Sequence, residues 1–256
     1  MQFKIGDLVT RNSYKNDTVF KIIDIDNQIV LLKGINIRLI ADSEINDLKK
    51  VNNVKIDDDE FYDRFSVNLN RDEYFYLPGK VLHIDGDKEY LERCMNFYKK
   101  IKIKAIGVRL KEDYVKDKII NLINEYKPDI VVITGHDAYY ERMGKEDDAN
   151  NYKNSINFVK AVKEIRTKYS HDELIIIAGA CQSNYGELIK AGANFASSPK
   201  RVNIHALDPA IIASNLAFSD KNKPIDLIKI IENTKYGSSG IGGIITNGTM
   251  YVGYPR

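Results

Sequence analysis

Asp129-Ile130-Val131-Val132-Ile133-Thr134-Gly135-His136-Asp137 and Glu173-Leu174-Ile175-Ile176-Ile177-Ala178-Gly179-Ala180-Cys181-Gln182 decide how this chain is read. Each is an apolar, β-branched run long enough for one strand buried on both faces, the way strands of a parallel sheet are written. A helix-length stretch separates them. Successive strands of a parallel α/β sheet run the same way, so their carboxyl ends share one edge. His136 ending one strand and Cys181 ending the next are therefore expected to meet there, imidazole beside thiol.

The alternation continues outward. Val81-Leu82-His83-Ile84-Asp85 reads as a strand, and Gly86-Asp87 opens a helix through Lys100 in which Cys94 is a core thiol. A second strand follows at 103–108 and a helix at 112–126, stopped by Pro128. Helices are predicted at 150–169, 183–190, 208–218 and 225–235, a fifth strand at 194–199, and a terminal hairpin at 241–252 turning at Asn247-Gly248. Residues 79–256 thus form an α/β domain, a mostly parallel sheet flanked by helices. Residues 1–48 differ. Short β-branched runs such as Thr18-Val19-Phe20-Lys21-Ile22-Ile23-Asp24-Ile25 and Ile37-Arg38-Leu39-Ile40, separated by turn residues, predict a small SH3-like β-barrel. Residues 49–78, with Asp57-Asp58-Asp59-Glu60, read as a polar linker closing at Pro78-Gly79.

Composition narrows the function. The chain has 256 residues, 43% of them hydrophobic, enough for a sizeable core. Its 38 basic and 36 acidic residues nearly cancel, so neither nucleic acid nor membrane is an expected partner. Two cysteines argue against a disulfide framework and for a reducing compartment. No secretory signal opens the chain, and no apolar run approaches the roughly 18 residues of a membrane span. A soluble, cytoplasmic protein is expected.

Cys181 needs an electropositive site to react as thiolate. A helix expected to begin near Gln182-Ser183 would offer free N–H groups and a positive dipole end. Ala178, Gly179 and Ala180 leave room for a substrate backbone. His136, neutral near pH 7, can take the thiol proton and return it to a leaving amine, and Gly135 before it permits an unusual backbone. The amide N–H groups of Asp137 and Cys181 are candidates for an oxyanion hole. The plainer alternatives are an inert buried cysteine and a core or capping histidine. Ser197, Ser198 and His205 follow the fifth strand, near the same edge, and are candidates for substrate contact or for simple loop closure. Asp147 and Asp148, beside Glu146 after His136, could attract a basic side chain or merely be solvated. His83 is expected to be structural and His171 exposed. The chemistry calls for no metal and no cofactor.

Two rivals stand beside the peptidase reading. Asp85-Gly86-Asp87, Thr134 and Lys200 fit a Mg²⁺-dependent haloacid dehalogenase-like phosphohydrolase with Asp85 as nucleophile. That series needs a further acidic pair, and only Asp208 and Asp220 are available, in or beside predicted helices. The other rival is a non-catalytic flavodoxin-like binding module. The glycine-rich run 237–243 neither follows a strand nor opens a helix, which argues against a dinucleotide site.

An apolar run ending in His followed by one ending in Ala-Cys resembles the caspase, legumain and clostripain group of cysteine peptidases. The chain departs from it at Asp137, where the group has Gly, a difference that touches the oxyanion hole more than the dyad. Val81-Leu82-His83-Ile84-Asp85-Gly86-Asp87, Ile133-Thr134-Gly135-His136-Asp137-Ala138-Tyr139, Ala178-Gly179-Ala180-Cys181-Gln182-Ser183 and the stretches 191–199 and 201–209 are similar to the YabG family of sporulation peptidases. The likeness covers nearly the whole chain. It implies a caspase-like fold and a cysteine endopeptidase that works through an acyl-enzyme. The implied substrates are spore coat and cortex-associated proteins, with self-processing, and the implied place is the mother-cell cytoplasm or the developing coat. The clostripain preference for Arg implies that Glu146, Asp147 and Asp148 attract a basic side chain at the cleavage position.

Overall fold

The computed structural model describes residues 3–52, 54–65 and 69–255. Strands β1 (Leu8–Arg11), β2 (Phe20–Asp26), β3 (Ile29–Gly34), β4 (Ile40–Glu44) and β5 (Leu48–Lys50) form one antiparallel sheet in the order β4-β3-β2-β1-β5. Every second residue faces inward, so Val9, Phe20, Ile22, Val30, Leu32 and Leu48 gather into a small core of their own. A register shift between Ile22 and Asp24 bends β2 over that core.

The stretch read as a polar linker is built structure. It carries helix α1 (Asp58–Arg64) and strand β6 (Phe75–Leu77). Phe61 is buried, and Phe65 packs edge-on to Phe97, so the aromatic residues among the acidic ones tie this stretch to the larger domain. Positions 53 and 66–68 of that stretch lie outside the described residues.

The rest is an α/β sandwich. Strands β7 (Val81–Asp85), β8 (Ala105–Arg109), β9 (Ile130–Thr134), β10 (Ile175–Ala178), β11 (Phe195–Ser197) and β12 (Ile241–Gly243) form a sheet ordered β12-β11-β10-β9-β7-β8. All neighbours are parallel except β11 and β12. Helices α2 (Lys88–Lys100), α3 (Val115–Tyr126), α4 (Ser155–Arg166), α5 (Tyr185–Ala191), α6 (Asp208–Ala217) and α7 (Leu227–Glu232) cover both faces. Alternate strand residues serve opposite cores. Val131, Ile133 and Ile176 pack with Ile119, Ile123, Phe158 and Val162 of α3 and α4. Val132, Ile177 and Cys181 pack with Phe97 of α2 and Ile211 and Leu216 of α6.

No terminal hairpin forms. β12 extends the main sheet, whereas β13 (Tyr251–Gly253) pairs with β6. Gly248, taken from sequence as the tip of a hairpin turn, is instead pressed against Ser219, where a Cβ would stand 2.0 Å from the carbonyl oxygen. Chain direction along the sheet reverses between β7 and β9, where the first connection leaves to β8 and the next returns to the other side. The crevice beyond the carboxyl ends at such a reversal is where open α/β sheets place their sites.

Candidate active site

His136 and Cys181 both lie beyond that edge. Ile133 pairs with Ala178 across β9 and β10, and each of the two residues comes three positions after its member of that pair. Their surroundings differ. His136 is held from two directions: its backbone N–H donates to Glu112 Oε1 at 2.8 Å, and Nε2 lies 3.0 Å from Asp87 Oδ2. Gly135 is needed for space rather than for unusual backbone, since a Cβ there would stand 2.1 Å from Glu112 Oε1. Nδ1 of His136 is buried and has no hydrogen-bond partner.

Asp87, read from sequence as a helix opening and as part of the phosphohydrolase series, stands beside His136 instead. It caps α2, accepting N–H bonds from Glu89 and Tyr90, and also receives Lys33 Nζ from β3 at 2.7 Å. Burial would raise its carboxyl pKa, but the bonds from His136 and Lys33 outweigh burial and hold it well below the usual carboxylate range. Its signal in the sequence was an N-cap aspartate two residues after the end of β7, a pattern normally explained by the cap alone.

Cys181 is sealed. It has no solvent exposure, and Sγ accepts the Ile204 N–H at 3.2 Å. Burial pushes its thiol up to about 12, so the proton stays on sulfur. The helix expected to begin beside it starts later: Ala180 and Ser183 close a tight turn, Asn184 is the cap, and α5 begins at Tyr185. Gly179 (φ +106°) and Gln182 (φ +59°) flank the thiol in left-handed backbone, which turns the chain sharply between β10 and that cap.

The remaining candidates are placed as follows. The Asp137 side chain is buried and accepts from Ser155 Oγ at 2.5 Å, Ser183 Oγ at 2.8 Å and the Asn154 N–H at 2.7 Å. An aspartate where the wider group has Gly thus fastens the end of β9 to α4 and to the turn after Cys181. Burial raises its carboxyl despite those bonds. Ser197 is buried against Gly179, and Ser198 Oγ donates to the Val202 carbonyl, closing its own loop. His205 is buried, with Nε2 2.7 Å from Asp57 Oδ1 and its ring 4.6 Å from that of Phe61. Asp147 and Asp148 sit with Lys163 and Glu187 around a shallow depression over α4 and α5, and Asp148 caps the turn at Asn150. Glu146 pairs with Arg201. The loop that carries them is tied to the turn after Cys181, where the Asn184 side-chain amide donates to the Glu146 carbonyl at 3.0 Å. Asp57, Asp58 and His205 come close enough to hold a cation, but Lys235 and Arg93 already neutralise the two carboxylates.

Asp85 has no free oxygen for a phosphohydrolase role. Oδ2 is bound by Arg38 Nη1 at 2.6 Å and Oδ1 by the Asp87 N–H at 2.8 Å, and neither Asp85 nor Arg38 has any exposure. Arg38 comes from the connection between β3 and β4 of the N-terminal unit, and its meeting with Asp85 joins the two halves of the molecule.

The family described as YabG peptidase U57 matches residues 4–65 and 57–255. The chain belongs to that family. It is 42% identical over 286 residues to the sporulation-specific protease YabG of Bacillus subtilis (strain 168), covering 100% of this chain and 99% of that one. A probable protease of Gillisia limnaea is 27% identical over 144 residues, covering 54% of this chain and 24% of its own length. Among solved structures, a probable two-component response regulator/GGDEF domain protein aligns with 45% of this chain and 40% of its own at 20% identity. Its TM-score of 0.31 carries no argument. Membership makes the protein a peptidase of sporulation, with protein substrates. No helix among the described residues is long and apolar enough to cross a membrane.

Proposed function

We propose that this family member is a cysteine endopeptidase in which Cys181 is the nucleophile and His136 carries the proton, acting on spore coat and cortex-associated proteins and on itself. One observation supports the reading above others: His136 and Cys181 finish neighbouring parallel strands in matching register, and the imidazole keeps one buried, unpartnered nitrogen. An imidazole donating Nε2–H to Asp87 has its lone pair on Nδ1, the form a general base needs. A sheet of five parallel strands closed by an antiparallel sixth is consistent with a caspase-like sandwich, and the N-terminal meander with an SH3-like barrel.

In the proposed cycle Nδ1 takes the thiol proton, and sulfur attacks the scissile carbonyl carbon. The oxyanion is received by the backbone N–H groups of Asp137 and Cys181. The proton passes from Nδ1 to the leaving amine as the C–N bond breaks, which leaves a thioester on Cys181. Water, deprotonated by Nδ1, then attacks the thioester; the C–S bond breaks and the proton returns to sulfur. Asp87 holds the ring and offsets the imidazolium charge in both halves. Cleavage products of a coat-protein extract, mapped by mass spectrometry for wild type and Cys181→Ala, test the reading. Sites present only with wild type support it, and identical maps refute it.

A further inference from the structure

We propose that residues 36–38, in the connection between β3 and β4, occupy the place of a substrate strand beside Cys181, so that the intact chain is a latent peptidase closed by its own N-terminal unit; this rests on the Cys181/His136 reading. The segment pairs antiparallel with residues 204–206. The Arg38 N–H donates to the Ile204 carbonyl, the Ala206 N–H donates to the Asn36 carbonyl, both at 3.0 Å, and Ile37 bridges His205. These are the backbone bonds an incoming extended peptide makes when it adds to an exposed edge. Ile204 is also the residue whose N–H meets Cys181 Sγ, so the paired segment runs directly along the nucleophile.

The side chains complete the closure. Arg38 is the largest fully buried side chain in the molecule's described part. Beyond its Asp85 pair, Nε donates to the Ala206 carbonyl at 3.1 Å, and the guanidinium carbon lies 4.9 Å from the centroid of Tyr90. The Tyr90 ring in turn flanks His136 at 5.6 Å, while its hydroxyl donates toward the carbonyls of Gly34 and Ile37 at 2.7 and 2.8 Å. Lys33, at the head of the same strap, holds the carboxylate that holds His136. Residues 36–38 therefore lie along the Cys181 side through Ile204 and hold Tyr90 beside His136, while Lys33, at the end of the preceding strand, engages the orienting aspartate. A tethered occupant acts at an effective concentration on the order of millimolar, so a micromolar substrate is outcompeted by roughly a hundredfold or more.

The test uses the full chain and two readouts, the rate at which iodoacetamide alkylates Cys181, resolved from Cys94 by peptide mass spectrometry, and cleavage of casein. Wild type and Arg38→Lys should alkylate slowly. Arg38→Ala leaves Asp85 without its cation and should raise the Cys181 rate by roughly tenfold or more, with a parallel gain in cleavage. If Arg38→Ala loses its cooperative melt, the charge-neutral double variant Arg38→Met/Asp85→Asn, which keeps the volume, decides. Ile123→Ala, in the opposite core, lowers stability without touching the strap and should leave Cys181 slow. Wild-type labelling in the folded strap variants overturns the proposal, and so does equal acceleration by Ile123→Ala. Faster labelling without any casein cleavage upholds the occluding strand and overturns the Cys181/His136 reading instead.

Discussion

The ends of β9 and β10 are neighbours in space and were built by the same kind of sequence, yet they finish in opposite states. His136 keeps some contact with solvent and sits in a charged network of Asp87, Lys33 and Glu112. Cys181 has no solvent contact, a backbone partner in Ile204 and a proton it does not readily give up. The difference does not come from the strands. It comes from what packs on each end: the buried backbone of Ile204 on Cys181, and the Asp87–Lys33 pair on His136. Adjacency of the two groups is thus a property of the sheet, whereas reactivity is a property of what covers it.

The largest effect should come from removing the more open member. With turnover measured in the strap-opened Arg38→Ala chain, His136→Ala should lower kcat by about a thousandfold or more while the melting temperature stays close to that background. Unchanged kcat would show that the two strand ends share only a location. Asp87→Asn ranks next. Asparagine can still cap α2 but brings no charge to the imidazole, and an expected loss of about 10–100-fold in kcat with KM held marks a positioning residue. A rise in KM alone would assign Asp87 to packing.

The same variant has a signature in stability. The folded carboxyl of Asp87 lies below its unfolded value near 3.9, so its contribution is present above about pH 4 and disappears as pH falls toward the folded value. Melting temperatures taken from pH 5 down to pH 2 should drop less steeply for Asp87→Asn than for wild type. Cys181 carries the opposite sign. Its thiol titrates near 12 when folded against about 9 when exposed, so its contribution holds below pH 9 and is lost as pH rises from 9 to 12. Cys181→Ala should flatten the alkaline limb of a melting curve, and an unchanged limb would mean the thiol is less sealed than its partners indicate.

How much of this was legible follows from the same contrast. The strands of the sheet announced themselves because a strand buried on both faces must be apolar throughout, and Ile130, Val131, Val132 and Ile133 leave no other reading. Their order placed His136 and Cys181 together. Arg38 was not legible. It lies in a short β-branched run that reads as part of an exposed strand, and arginine is almost never fully buried unless paired. Its partner Asp85 stands in another domain, and no local period links the two. Asp87 was visible as a helix opening and as part of an Asp-Gly-Asp series, neither of which pairs it with His136. The linker was misjudged because its acidic composition masked Phe61 and Phe65, whose burial depends on partners brought by the sandwich. The late start of α5 was hidden by Gly179 and Gln182, since left-handed backbone at Gln182 has no reliable residue signature.

The smallest effect is expected where the sequence placed an acidic lure. Glu146, Asp147 and Asp148 follow His136 closely enough in the chain to be drawn toward its chemistry. The loop instead carries them over α4 and α5, with Glu146 tied to Arg201 and Asp148 spent on the N–H of Asn150. Asp147 is exposed there beside Lys163 and Glu187, and a solvent-exposed charge acts weakly and is screened by salt. Asp147→Asn/Asp148→Asn, measured at low and at physiological salt on a substrate with a basic cleavage position, should keep kcat/KM within about twofold of its background. A larger, salt-sensitive loss confined to KM would mean that the loop swings across the β9 edge when substrate binds. The open and sealed strand ends would then differ by two covers, one lifted before binding and one closed after it.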